Sequence, residues 1–298
     1  MRIEQRLAFI GFGEAAQAFT AGWKSEVELE ICAYDIKTDQ ASTRHAKQED
    51  YRRTGVHSAS SATDAVSQAD VIISAVTADA VLDAAASVLP ALTSRQLYVD
   101  INSAAPDRKC KAARMIASQG AAYVDVAVMA PVQSGRHRTP LLIGGPGARR
   151  IESLFRRLDM NFEVVSDEVG YASTVKMVRS VMVKGLEGLV IECMLAGVAA
   201  GVDRHLLISL DSSFPGMEWE KLAGYMLERA ITHGRRQAAE MRDVAVTLND
   251  MGLGSSMAAA SAERLQWLAD MDLGRVFPYG LPDNYLALAE TVLARIKQ

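Results

Sequence analysis

Residues 7–16 read Leu-Ala-Phe-Ile-Gly-Phe-Gly-Glu-Ala-Ala, and no other stretch constrains the fold as tightly. A short apolar run ends in Gly11, Gly13 follows, and Ala16 closes a Gly-x-Gly-x-x-Ala pattern. The pattern is that of a strand-to-helix turn on which a dinucleotide pyrophosphate rests. Gly11 permits the tight turn. Gly13 has no Cβ, so its backbone can lie against phosphate, and Ala16 is small enough for the helix to pack on the strand. Phe12, Glu14 and Ala15 complete the turn, and the helix tip offers N–H groups and a partial positive charge to an anion.

The surroundings agree. Residues 6–10 suit a buried strand, Ala15–Trp23 a helix, and Val27–Tyr34 a second strand ending in Asp35. Asp35 lies 24 residues beyond Gly11, close to where an acid meets the adenosine ribose hydroxyls. It would also serve as a plain strand-end turn residue. An acid here favours NAD over NADP, because a 2′-phosphate would meet like charge, and Lys37 is near enough to blur that preference. Val76 and Thr77, at the end of the next predicted strand, are further candidate cofactor contacts.

Apolar runs at Val71–Val76, Leu97–Ile101, Ala122–Val126, Thr139–Ile143 and Phe162–Val165 read as strands. Ala78–Val88, Asp107–Ser118 and Ala148–Leu158 read as helices between them. Such alternation predicts an α/β fold, a Rossmann-type doubly wound parallel sheet, over residues 1–168. From Tyr171 onward the strand signals stop, and an all-helical domain is expected over 169–298. Tyr171–Ala200 can form one helix of ~45 Å, with Val175, Val178, Met182, Leu186, Leu189 and Cys193 as its apolar stripe. Gly201 stops it and Asp203 is placed to cap the next helix. Three or four more helices follow, broken around 212–216, 252–256 and 274–282. Ligands of such sheets bind beyond the carboxyl ends of the strands, so the active site is expected in the interdomain cleft.

The 298 residues suffice for about two domains. Charged residues are 23% and the net charge is −4, without the basic footprint of a nucleic-acid binder. The longest apolar stretch is too short to span a bilayer. Cys32, Cys110 and Cys193 lack metal-ligand spacing and fit a reducing cytoplasm, with Cys32 and Cys193 expected as buried thiols.

Three constellations carry chemistry. In Asp100-Ile-Asn-Ser-Ala-Ala-Pro106, Asn102 and Ser103 stand at a strand end, able to bond a hydroxyl or carboxylate. The same residues make an ordinary helix start, with Ser103 as cap and Pro106 in the first turn, and both roles can hold together. Lys176 shares a helix face with Ser180 and Glu187, and a lysine desolvated in a cleft can exchange a proton near neutrality. Taken alone it reads as a solvated helix lysine; its position just after the sheet favours the chemical role. His233-Gly-Arg-Arg236 and Glu240-Met-Arg242-Asp243 could bind an acidic group, though a surface role is the commoner one.

These segments, in this order, resemble the β-hydroxyacid dehydrogenase family, which includes 3-hydroxyisobutyrate and 6-phosphogluconate dehydrogenases. The chain is most similar to the phosphogluconate-dehydrogenase-like NAD-binding branch. The likeness rests on Gly11–Ala16, Asp100–Pro106, Asp125 through Gly144-Gly145 and Gly170-Tyr-Ala-Ser-Thr-Val-Lys176. It implies hydride transfer between nicotinamide and a small hydroxy acid or its keto partner. Lys176 matches the family's general acid/base, Asn102 and Ser103 its substrate and nicotinamide contacts, and Arg242 the place of a lysine near the cofactor. A homodimer is implied as well. The usual Pro-Val-Ser-Gly-Gly segment is replaced by Val126-Ala-Val-Met-Ala-Pro-Val-Gln-Ser134. Arg179 and Ser180 occupy the turn where many members carry asparagine. Substrate recognition is therefore assigned to Ser103, Arg179, Ser180, His233 and Arg236. An imine reductase on the same scaffold, or a dinucleotide-binding regulator without turnover, are the competing readings.

Overall fold

The computed structural model describes residues 5–23, 29–277, 280–282 and 284–297. The chain divides into two compact units, Met1–Lys176 and Met177–Gln298, a boundary eight residues beyond the expected one at 168.

The first unit contains β1 (Gln5–Ile10), α1 (Glu14–Trp23), β2 (Leu29–Tyr34), α2 (Ala41–Thr54), β3 (His57–Ser58), α3 (Ala62–Val66) and β4 (Val71–Ser74). It continues with α4 (Val81–Val88), β5 (Leu97–Asp100), α5 (Pro106–Ala117), β6 (Ala122–Val128), α6 (Val132–Gly135), β7 (Leu141–Gly144), α7 (Ala148–Arg157) and β8 (Phe162–Val164). Helix α8 (Tyr171–Ala200) begins in the first unit. Residues 27 and 28 of the expected second strand lie outside the described residues.

The strands form one sheet in the order β3-β2-β1-β4-β5-β6-β7-β8. All neighbours are parallel except β6 and β7, which pair antiparallel. The chain runs outward from β1 to β3 and then returns to β4, so the switch point lies between β1 and β4. In open sheets that is where ligands bind, outside the strand carboxyl ends. Alternate residues of β1 feed two cores: Leu7 and Phe9 one, Ala8 and Ile10 the other. With both faces covered, β4 (Val-Ile-Ile-Ser) is buried at every position, as expected of a central parallel strand.

Helix α2 was not legible, and its composition explains why. Its buried residues are Lys47, Tyr51 and Thr54, so it has no apolar stripe to read. Gly55, at φ 66°, ends it in the left-handed conformation.

The second unit holds the rest of α8 with α9 (Asp203–Ser213), α10 (Trp219–Asp250), α11 (Ser256–Asp270) and α12 (Tyr285–Ile296). The three breaks between these helices fall where expected, though residues 278, 279 and 283 lie outside the described ones. Met177, Ile191, Met194 and Leu195 turn one side of α8 into a core with Leu227, Met241 and Leu265. Four residues of the expected stripe face the other way: Val175, Val178, Met182 and Leu189 are exposed, Met182 by 71%, while Leu186 packs against the core and Cys193 is half-buried. The helix is apolar on two sides, so periodicity alone could not choose the buried one. Two smaller expectations are also corrected. Asp203 does not cap α9, whose N-cap is Val202; its carboxylate accepts from the Tyr285 hydroxyl at 2.7 Å. Cys32 and Cys193 are half-buried rather than buried. Among the described residues no helix is long and apolar enough to cross a membrane.

Candidate active site

The glycine turn follows directly from β1. Gly11 has φ 82°, and a Cβ there would lie 2.4 Å from the Ala75 carbonyl oxygen. Backbone conformation and space therefore both require glycine. Gly13 differs, because a Cβ there would meet nothing within 4 Å. Protein packing does not demand glycine at that position, whereas close backbone approach by a ligand does. Ala16 is fully buried against the sheet. The turn thus fits a pyrophosphate resting on Gly13 and the tip of α1.

Side chains clamp the residue between the two glycines, Phe12, on both of its flanking peptides. The Phe12 N–H donates to Asp35 Oδ2 at 2.8 Å. Its carbonyl accepts from Lys47 Nζ at 2.7 Å and from Gln17 Nε2 at 3.3 Å. Asp35 is buried, and its other oxygen accepts from the Lys37 N–H at 3.0 Å. Lys47 also pairs with Asp50 at 2.9 Å and lies 3.9 Å from Asp35.

The ends of β4 and β5 meet beside the turn. Val76, whose side chain a Cβ on Gly11 would strike, donates its N–H to Asn102 Oδ1 at 2.6 Å. The Asn102 side-chain amide donates to Ser74 Oγ at 3.0 Å, and its backbone N–H to Asp100 Oδ1 at 2.8 Å. Asn102 is buried and ties the two strand ends together. Ser103 does not cap α5. The N-cap is Ala105, without a side-chain cap, and Pro106 opens the first turn as expected. The Ser103 hydroxyl instead accepts from Lys176 Nζ at 2.5 Å. A chain of contacts therefore links Gly11, Val76, Asn102, Ser103 and Lys176 within the first unit. Thr77 is exposed beside it.

Buried ions hold the first turn of α8. Asp125 Oδ2 accepts from the Gly170 N–H at 3.0 Å, the Ser173 N–H at 3.2 Å and the Ser173 hydroxyl at 3.1 Å. A carboxylate at a helix N-terminus bonds free N–H groups and offsets the positive end of the dipole. Lys109 Nζ donates to Asp125 Oδ1 at 3.0 Å, the Val126 carbonyl at 2.9 Å and the Asp100 carbonyl at 3.1 Å. It lies 3.6 Å from Asp100 Oδ1. Lys109, Asp100 and Asp125 are wholly buried. Burial alone would lower the lysine pKa, but the two carboxylates outweigh it and raise it. The Tyr123 hydroxyl donates to Asp100 Oδ2 at 2.5 Å. Burial and the Asp100 charge hold its phenol far above the usual range, so it remains a donor. Lys47 and Lys109 both escaped the sequence reading. Lys109 did leave a signal: it stands at the head of the buried stripe of α5, with Ala112 and Ile116.

The remaining candidates lie in the second unit. Ser180 is buried and accepts from Lys184 at 3.4 Å. Lys184 pairs with Glu240 at 2.6 Å, and Glu240 with Arg236 at 3.0 Å. Gln237 donates to both oxygens of the buried Glu187, at 2.9 and 3.1 Å, and burial raises the Glu187 pKa. His233 and Arg236 line a cavity of about 660 Å³ with Glu228, Asp272 and Phe277. Arg179 is exposed. Arg242 is exposed too and donates to Gln266 at 2.8 Å, on the side facing α11. Among the described residues no three His, Cys, Asp or Glu side chains converge to hold a metal ion.

The family model described as the NAD binding domain of 6-phosphogluconate dehydrogenase matches residues 6–170, more than half of the chain. The chain belongs to this family. Its first unit is thereby a nicotinamide-dinucleotide-binding domain, and the glycine turn lies within the matched region. A second model, a domain of unknown function (DUF1932), matches residues 198–268. A conserved hypothetical protein from Sinorhizobium meliloti is 33% identical, with 98% of this chain and 97% of that one covered at TM-score 0.77. A conserved protein of unknown function, described as structurally similar to 3-hydroxyacid dehydrogenases, is 29% identical. There 89% and 97% of the chains are covered at TM-score 0.71. The Mycobacterium tuberculosis 3-hydroxyisobutyrate dehydrogenase shares the fold, at 14% identity, 97% and 99% coverage and TM-score 0.71. The family member described here thus has the fold of the hydroxyacid dehydrogenases.

Proposed function

We propose that this chain is an oxidoreductase that passes a hydride between a nicotinamide cofactor and a small hydroxy acid or its keto partner. Lys176 is its general acid/base. When bound, the cofactor supplies the hydride acceptor or donor at its nicotinamide ring. In the oxidative direction the lysine, as the neutral amine, takes the hydroxyl proton; in reduction its ammonium form returns it. The observation that carries this reading is the Lys176–Ser103 hydrogen bond of 2.5 Å, set among strand ends that also support the glycine turn. Ser103 holds the ammonium in place and offers its hydroxyl to the same substrate oxygen. Asn102 keeps Val76 and Ser103 in register. Asp35 supports NAD as the preferred cofactor. Arg179, Ser180, His233 and Arg236 are retained as candidate substrate contacts and Arg242 as a candidate cofactor contact. The exposed apolar side of α8 supports a homodimer, and the three free cysteines support a reducing cytoplasmic setting.

The test is turnover of a panel of small hydroxy acids, keto acids and cyclic imines, followed by the absorbance of reduced nicotinamide. Lys176→Ala is expected to lower kcat by about 10²–10⁴-fold while NADH affinity stays near wild type. Loss of NADH binding in Lys176→Ala would make the lysine structural and refute its role. Turnover of imines alone would replace the hydroxy acid as substrate class.

A further inference from the structure

Lys47 is a lysine whose side chain is only 8% exposed, on a helix that otherwise buries only Tyr51 and Thr54. Burying an ammonium needs compensation. Its partners are the Phe12 carbonyl at 2.7 Å, Asp50 at 2.9 Å and Asp35 at 3.9 Å. Of these, Phe12 belongs to the cofactor turn and Asp35 bonds it. Phe12 is the residue between Gly11 and Gly13, and Asp35 grips its N–H while Lys47 grips its carbonyl. The orientation of these two successive peptides sets where the following N–H groups point.

Charge adds a second consequence. Asp35 stands at the end of β2, where an acid of this fold bonds a ribose hydroxyl and repels a 2′-phosphate. An uncompensated carboxylate would repel the phosphate strongly, whereas a lysine beside it weakens that repulsion. Asp50 draws part of the lysine's charge away, and Arg53 pairs with Asp50 at 3.1 Å from the solvent side.

We propose that Lys47 is a positioning residue for the dinucleotide turn and sets how strongly this chain discriminates NAD from NADP. The proposal rests on the dinucleotide reading of the glycine turn and goes beyond it. It predicts opposite effects from two substitutions. Lys47→Met removes the offsetting charge and one half of the peptide clamp. Both cofactors bind more weakly, and the ratio Kd(NADPH)/Kd(NADH) rises about tenfold. Asp50→Asn frees the lysine's charge for Asp35, and the ratio falls by a few fold. Lys47→Arg keeps the charge and returns the ratio towards wild type.

Calorimetric titration of each folded variant with NADH and NADPH measures these ratios, with melting temperature as the check on folding. An unchanged or lower ratio in folded Lys47→Met overturns the proposal and leaves Lys47 a core residue. Should that variant fail to fold, Asp50→Asn decides: a lower ratio supports the proposal and an unchanged one overturns it. Wild-type protein that binds neither nucleotide would defeat the dinucleotide reading itself, and the proposal with it.

Discussion

The two units treat buried carboxylates differently. In the first, Asp35, Asp100 and Asp125 each lie beside a buried lysine, Lys47 or Lys109. In the second, the buried Glu187 is held by the neutral amide of Gln237. A buried ion pair fixes geometry only while both partners remain, and losing one leaves a stranded charge. A neutral amide, by contrast, leaves no stranded charge when the carboxyl beside it takes up a proton. The first arrangement suits a scaffold that must hold a turn and a helix end in place. The second tolerates change.

The largest effect is expected at Lys109. Lys109→Met strands two fully buried carboxylates and should cost about 3–5 kcal/mol in chemical denaturation. A loss below about 1 kcal/mol would mean that the pairing contributes little and would break the contrast. Next comes Gly11→Ala, which demands φ 82° and a Cβ 2.4 Å from a backbone oxygen; a loss of about 2–4 kcal/mol is expected. Gly13→Val should leave the melting temperature nearly unchanged and abolish NADH binding, since the space above Gly13 is open in the protein itself. Equal destabilisation at both glycines would contradict the separation of packing from ligand approach.

Smaller changes sharpen the contrast. Ser173→Ala removes one hydroxyl from Asp125 and should cost about 1 kcal/mol. Glu187→Gln is expected to have the least effect, visible only as a function of pH. The folded pKa of Glu187 is raised by burial. Its contribution to stability is therefore complete below the unfolded pKa of about 4.3 and is lost as pH climbs through the folded value. The variant should show a flatter stability profile above that pH. A profile identical to wild type would show that Gln237 already offsets the burial.

The glycine turn, the alternating elements and the long helix were legible because each is written in contiguous residues. The strand-end site was legible in part. Asn102, Ser103 and Lys176 were named, yet the bond between Ser103 and Lys176 joins residues 73 positions apart, beyond what spacing reveals. Lys47 and Lys109 stayed hidden because a lysine in sequence reads as solvated, and only tertiary neighbours turn it into a buried partner. The buried side of α8 was misjudged because two of its sides are apolar. The antiparallel pairing of β6 and β7 depends on the chain's path, which no local pattern records.

A crystal structure of the protein with NADH bound would place the cofactor and Lys176 together in one experiment. Pyrophosphate is expected against Gly13 and the tip of α1, with the Lys176 ammonium still bonded to Ser103 and facing the nicotinamide. A dinucleotide seated elsewhere, or Lys176 turned away from the ring into solvent, would contradict that placement.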